Sequence, residues 1–282
     1  MEWPALSAFA HHHQQPLLRR RRLRWRDGLR HFPLRRLARA FLTCAIPHSM
    51  TNNFLLEITV ESVDAASAAE RGGADRVELC ADLRCGGLTP APEIMRNARA
   101  AVRLPIFAMV RPRAGNFVYT NDEVSLMKSQ IIQAHALGMN GIVLGVLRQD
   151  NTVDVSLLKS LVEFAAPLPL TFHRAFDETP DLSRALEDVI SVGAARILTS
   201  GGANKAPQAL DTLAKLVQIA GQRIIIVPGS GIQPENFPVV RQALNAREYH
   251  SGLSSVLPYG STDFARFEAA VRALVQHKSR NL

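Results

Sequence analysis

Leu168-Pro169-Leu170-Thr171-Phe172-His173-Arg174-Ala175-Phe176-Asp177 opens as a strand and closes on chemistry. A short apolar run after a proline, containing a β-branched and an aromatic residue, is strand composition. Alternation puts Leu170 and Phe172 on one face and Thr171 and His173 on the other. The polar face therefore ends in a histidine and runs directly into Arg174 and Asp177. A buried structural histidine beside a surface ion pair would look the same locally. The reading turns on whether other strands end in a similar way.

They do, and they recur at regular spacing. Working outward, residues 55–60, 76–80, 105–110, 141–146, 168–173, 196–200, 223–227 and 247–251 read as strands. The stretches 63–71, 92–102, 122–137, 155–166, 182–192, 208–220, 235–244 and 264–277 read as helices, several of them closed by glycine, the residue that takes a left-handed C-cap. Mostly apolar strands alternating with helices imply parallel pairing through helical crossovers. Eight such units in roughly 250 residues are the count and size of a closed (β/α)8 barrel. The competing architecture is an open doubly wound sheet. No G-x-G-x-x-G follows the first strand, which counts against its dinucleotide-binding version.

In a barrel, one face of each strand packs on helices and must be apolar, and the other points inward. Leu56, Ile58 and Val60 take the outer face of strand one, leaving Glu57 and Thr59 inside. The same argument turns Glu78 and Cys80, then Phe107, Met109 and Arg111, then Thr171 and His173 inward. In strand eight Glu248 and His250 share a face. Buried charges need partners, and Arg111 with Arg113 is the expected bridge to one or both of Glu57 and Glu78. Glu57, Glu78, Arg111, His173 and Asp177 are therefore the candidate catalytic group, at the strand ends where this fold places its chemistry. Thr199-Ser200-Gly201-Gly202, Pro228-Gly229-Ser230-Gly231 and Ser251-Gly252 follow strands six to eight. Such loops expose N–H groups and hydroxyls to an oxyanion. Arg113, Ser200, Gly201, Gly229, Ser230 and Gly231 are the candidate anion or phosphate ligands.

The charge excess of eight lies wholly in residues 1–49, which carry ten arginines against Glu2 and Asp27; residues 50–282 hold 23 basic and 23 acidic side chains. The folded part therefore offers no net basic charge for nucleic acid, whose binding would need a basic face on the domain itself. An RNA-binding role for the run Arg19-Arg20-Arg21-Arg22 stays open as a property of the arm. Residues 1–49 lack sustained periodicity, are poor in serine for a transit peptide, and have no clean apolar core for a signal peptide. They are expected to be a poorly ordered extension upstream of Met50, with residues 50–282 forming one barrel domain. No apolar run reaches a membrane span. Cys44, Cys80 and Cys85 do not suggest a disulfide framework.

The stretches Gly72-Gly73-Ala74-Asp75-Arg76-Val77-Glu78-Leu79-Cys80, Gly86-Gly87-Leu88-Thr89-Pro90 and Arg111-Pro112-Arg113 are similar to those of the CutC family. So are Thr171 to Asp177, Arg196-Ile197-Leu198-Thr199-Ser200-Gly201 and Pro228-Gly229-Ser230-Gly231-Ile232, in the family's order. The resemblance implies a TIM-type barrel, a cytoplasmic, self-associating protein, and a role in copper homeostasis. This chain departs from the family at Ala114-Gly115-Asn116, at Thr59 and at Ser251-Gly252-Leu253. Copper(I) favours thiolate and thioether ligands and accepts imidazole, so Cys80, His173 and His250 are the candidate metal ligands. Two functions stand side by side. One is copper binding or handling, implied by the resemblance. The other, read from the residues, is an enzyme acting on a small anionic, phosphorylated or unphosphorylated, molecule.

Overall fold

The computed structural model describes residues 54–278; the expected extension, residues 1–49, lies outside them. Eight strands alternate with eight helices: β1 (Leu55–Val60), α1 (Val63–Gly72), β2 (Arg76–Leu79), α2 (Pro92–Ala101), β3 (Ile106–Met109), α3 (Asn121–Ala136), β4 (Gly141–Leu144), α4 (Val155–Ala165), β5 (Leu170–Phe172), α5 (Leu182–Ser191), β6 (Arg196–Thr199), α6 (Leu210–Ala220), β7 (Ile225–Pro228), α7 (Phe237–Leu244), β8 (Glu248–Ser251) and α8 (Phe264–Val275). Every ladder is parallel, and the order runs β7-β6-β5-β4-β3-β2-β1-β8. β7 and β8 pack side by side and bring the ring nearly to closure. This is a (β/α)8 barrel. Among the described residues no helix is long and apolar enough to cross a membrane.

Local signals set the element ends. Gly73, at φ +90°, closes α1 with its N–H on the carbonyls of Ala69 and Glu70. Thr120 and Glu123 form a reciprocal capping box at the start of α3. β5 stops one residue short of the sequence expectation. His173 instead starts a short 3-10 turn, Arg174–Glu178, because its ring Nδ1 accepts from the Ala175 N–H at 3.1 Å. The expected start of α6 at 208 moves to Leu210 for a similar reason. Gln208 belongs to a preceding 3-10 turn and its side chain accepts from the Lys205 N–H.

The outer strand faces, among them Leu56, Ile58, Val77, Ile106, Ile142 and Phe172, are sealed under the helices in one continuous core. Inside the ring lies a second, small apolar cluster of Cys80, Phe107, Met109 and Val143. Gly141 makes room for it, since a Cβ there would stand 2.6 Å from the Phe107 ring.

The buried charges are paired differently from the expectation. The register sets Glu57 beside Arg76 across β1 and β2. Arg76 binds the carboxylate of Glu57 and, at 2.5 Å, that of Glu248. Arg196 adds a 3.0 Å contact to Glu248. Both guanidinium groups lie over the Phe107 ring, at 4.6 and 5.0 Å from its centre. Arg111 sits two inward positions beyond Phe107 on β3, toward the mouth, and neither it nor Arg113 bridges Glu57 or Glu78. Burial alone would lower the pKa of Arg76; the Glu57 and Glu248 carboxylates outweigh it and raise the value.

Removing one partner from such a set leaves uncompensated buried charge, which costs about 3–5 kcal/mol. Arg76→Gln is therefore expected to lower the unfolding free energy by about that amount in urea titrations. A loss below about 1 kcal/mol would contradict the assigned pairing.

Candidate active site

The C-terminal ends of the strands surround a cavity of about 840 Å³. Among its walls are Thr59 from β1, Glu78 from β2, Arg111 beyond β3, His173 beyond β5 and His250 from β8. Asp177 and Arg174 line it from the turn after β5, and the loop after β8 contributes Leu257 and Tyr259. The Tyr259 hydroxyl donates to the carbonyl of Leu83 at 3.0 Å, tying that loop to the one after β2.

Strand register builds the first part of the site. Thr59 stands opposite Glu78, and His250 lies on the next strand over. Thr59 Oγ1 donates to Glu78 Oε2 at 2.8 Å, and His250 Nε2 lies 3.0 Å from the same oxygen and 2.5 Å from Thr59 Oγ1. Burial by itself favours the neutral form of both groups. For Glu78 it is outweighed by His250 and then by the hydrogen bonds from His250 and Thr59, so the carboxyl pKa falls below its usual value. For His250 burial is outweighed by Glu78 and by Glu57, so the imidazole pKa rises. The two form a buried ion pair, and Glu78 Oε1 is left without a protein partner.

His173 is the opposite case. Burial first, and the Arg111 charge second, push its pKa down to about 4. With Nδ1 accepting from Ala175, the neutral ring carries its proton on Nε2, which is buried and unpartnered. The ring packs on Phe117 at 4.8 Å. It fits because position 145 is glycine, where a Cβ would stand 2.5 Å from the ring. The residues lining the cavity thus include a neutral imidazole and an ionised carboxylate, each with one buried polar atom that has no partner among the described residues.

Several sequence candidates do other work. Glu57 belongs to the layer below, its Oε1 4.0 Å from His250 Nε2. Arg111 lines the cavity but spends its guanidinium on the carbonyls of Cys85, Gly87 and Gly115, at 2.9 to 3.1 Å. It clamps two mouth loops together. Arg113 turns away to Glu123 and to the carbonyl of Val118. The loop after β6 was expected to hold an external anion, but its donors are already filled. The Ser200 and Gly202 N–H groups, with the hydroxyls of Thr199 and Ser200, all donate to the carboxylate of Asp177. Gly201 donates to Thr199 Oγ1 within the loop. After β7, Gly229 extends the ladder to Thr199, Ser230 Oγ donates to the carbonyl of Asn204, and the Lys205 side chain covers Gly231. None of Arg113, Ser200, Gly201, Gly229, Ser230 and Gly231 lines the cavity.

The candidate metal ligands do not converge either. Among the described residues, no group of three His, Cys, Asp or Glu side chains is placed to hold a metal ion. The Cys80 thiol is buried, and its pKa is pushed well up by that burial and by the Glu78, Glu57 and Glu61 carboxylates, which disfavours the thiolate that copper(I) binds. His250 is held by Glu78 and Thr59, and the His173 Nδ1 is already in use. These residues do not fit a preformed copper site.

Sequence reasoning passed over Arg76, Arg196 and Arg174. Arg76 stands two residues before Glu78 and Arg196 two before Leu198, so alternation did carry a signal for both, but a charge at the first position of a strand reads as a solvated end. Arg174 carried a signal, its place directly after His173, but it reads as half of a surface pair.

A family model described as the CutC family matches residues 54–255. A CutC family protein of Agrobacterium fabrum is 44% identical over 232 residues, covering 78% of this chain and 92% of the relative. A human protein named copper homeostasis protein cutC homolog is 41% identical over 209 residues, 74% of this chain and 77% of its own. The crystal structure of a protein assigned as copper homeostasis protein CutC, from Streptococcus agalactiae, superposes with a TM-score of 0.67 at 31% identity, over 70% of this chain and 98% of that one. Phosphoribosylanthranilate isomerase of Thermotoga maritima is similar at a TM-score of 0.53 and 13% identity, over 80% of this chain and 98% of that one, and speaks for the fold alone.

The two histidines give stability opposite pH dependences. The folded chain leaves His173 unprotonated down to about pH 4, whereas an unfolded histidine takes up its proton near pH 6.5. The contribution of His173 is therefore complete above about pH 6.5 and drains as pH falls, by about 3 kcal/mol at pH 4. That of His250 is complete below about pH 6.5 and drains as pH rises through its raised folded value. In urea unfolding between pH 4.5 and 7, His173→Asn is expected to flatten the acid-side decline seen in the wild type. An unchanged slope would contradict the assigned neutral His173.

Proposed function

The chain belongs to the CutC family, and on that premise we propose that it serves copper homeostasis, the role for which its human relative is named, as an enzyme of proton transfer on a small molecule rather than as a copper carrier. One observation carries this reading. Two unpartnered polar atoms of opposite character, Glu78 Oε1 and the Nε2–H of His173, are buried at the wall of the same cavity.

The chemistry follows from that placement. His250 and Thr59 keep Glu78 ionised, so the carboxylate is in its base form at neutral pH. Its open oxygen takes a proton from a carbon next to a substrate carbonyl, and the electron pair of that C–H bond moves onto the carbonyl oxygen. A neutral imidazole N–H can polarise such an oxygen without losing its own proton, which is the role assigned to His173. Glu78 then returns the proton to the same or the neighbouring carbon, so the step is balanced as an exchange or an isomerisation. Asp177 is a positioning residue, bound by the loop after β6.

Copper binding by Cys80, His173 and His250 is the other reading, supported by the family name and opposed by the burial and spread of those ligands. One pair of measurements separates the two. The purified chain is incubated with a small-molecule extract in deuterium oxide and the extract is read by mass spectrometry. A compound gaining deuterium with the wild type, and at least about 100-fold more slowly with Glu78→Gln, is the expected result. No labelled compound, together with a tight stoichiometric copper(I) complex that is lost in Cys80→Ala under reducing conditions, would overturn it.

A further inference from the structure

We infer that Arg174 is the anchor for a substrate carboxylate, which makes the substrate a small mono-anionic oxo- or hydroxy-acid rather than a phosphate ester. The inference rests on the proton-transfer reading and names the class of molecule that the same cavity takes.

Two arginines line the cavity, and their hydrogen-bonding states differ. Arg111 is committed on both terminal nitrogens to loop carbonyls, and its remaining Nε, though unpartnered among the described residues, is buried. Arg174 donates from Nε to Asp177 Oδ2 at 2.9 Å and from Nη2 to Ser200 Oγ at 2.9 Å and to the Ala203 carbonyl at 3.5 Å, while its Nη1 has no hydrogen-bond partner among the described residues. Its side chain is 42% exposed against 7% for Asp177. The arginine is thus braced by a buried carboxylate and by the loop after β6, and open at Nη1. A guanidinium edge held rigid in this way suits a carboxylate, because the ordering cost of the side chain has already been met.

The surroundings set the charge of the ligand. The Glu78 and Asp177 carboxylates are balanced by His250 and Arg174. Glu61, Asp64 and Glu178 also line the cavity with no ion pair among the described residues, against one further lining cation, Arg111, which binds neutral carbonyls. A dianionic phosphate would meet net repulsion there. It would also find the loop after β6 filled by Asp177, while Gly229, Ser230 and Gly231 of the loop after β7 do not line the cavity. A single carboxylate on Arg174 needs neither loop. Arg174 directly follows His173, so an acid bound there has its adjacent carbons within the part of the cavity that His173 and Glu78 serve.

The test uses the full chain labelled with 15N-arginine, with pyruvate and inorganic phosphate as probes at equal ionic strength. Pyruvate is expected to move the Arg174 Nε signal. Its affinity should fall at least tenfold in Arg174→Gln, fall less in Arg174→Lys, and stay unchanged in Arg113→Gln, and phosphate should bind more weakly than pyruvate. An Arg174 signal that pyruvate leaves in place, or tighter binding of phosphate than of pyruvate, would overturn the inference. Glu78→Gln keeps pyruvate binding under this account. Loss of the anchor with deuterium exchange intact would therefore refute this inference alone, and an intact anchor with no exchange would refute the proton-transfer reading alone.

Discussion

A carboxylate enclosed by eight strands must find a cation or give up its charge, because desolvation of an unpaired ion costs far more than a fold of this size can absorb. This chain encloses Glu57, Glu78 and Glu248 within one ring. It meets the constraint twice, at two heights. In the lower layer the cations are arginines, Arg76 and Arg196, which stay charged at any physiological pH. In the upper layer the cation is His250, which can lose its proton. The lower set acts as a permanent polar plug, flanking Phe107 with two guanidinium groups. The upper set remains titratable and opens onto the cavity.

That difference separates support from chemistry in one barrel. Below, Arg76 and Arg196 give the carboxylates of Glu57 and Glu248 direct ionic partners. Above, Glu78 keeps one oxygen, and His173, His250 and Arg111 each keep one nitrogen, without a partner among the described residues; below, Arg196 Nη1 does the same. The two histidines sit in one cavity but are driven to opposite charge states. His250 faces carboxylates, whereas His173 is desolvated against Phe117 and lies within the field of Arg111. Glycines at 141 and 145 are part of the same design, since each leaves the space that a neighbouring ring fills.

Much of this was legible in the residues. The apolar positions of β1, β2, β3 and β5 assigned the outer face, and alternation then turned Glu57, Glu78, Arg111 and His173 inward. What stayed hidden was pairing. Arg76 shares the inward face of Glu78 by alternation, but its pairing with Glu57 rests on register, a property of two strands rather than one. The loop Thr199-Ser200-Gly201-Gly202 has the composition of an anion site and does bind an anion, but the anion is Asp177, delivered by the turn after β5. No reading of the loop by itself reveals that its donors are occupied from within. The cysteine at 80 was identified as inward, as it is; its burial and the lack of any group of three ligands among the described residues speak against a ready metal site, and neither is visible in spacing.

The contrast between the two mouth histidines can be measured directly. Titration of the full chain labelled with 13C and 15N at histidine, followed by NMR, should show His173 neutral at pH 7 with its proton on Nε2, titrating near pH 4. It should show His250 titrating above the ordinary histidine value of about 6.5. Two histidines that both titrate near 6.5, or a His173 that carries its proton on Nδ1, would contradict the account.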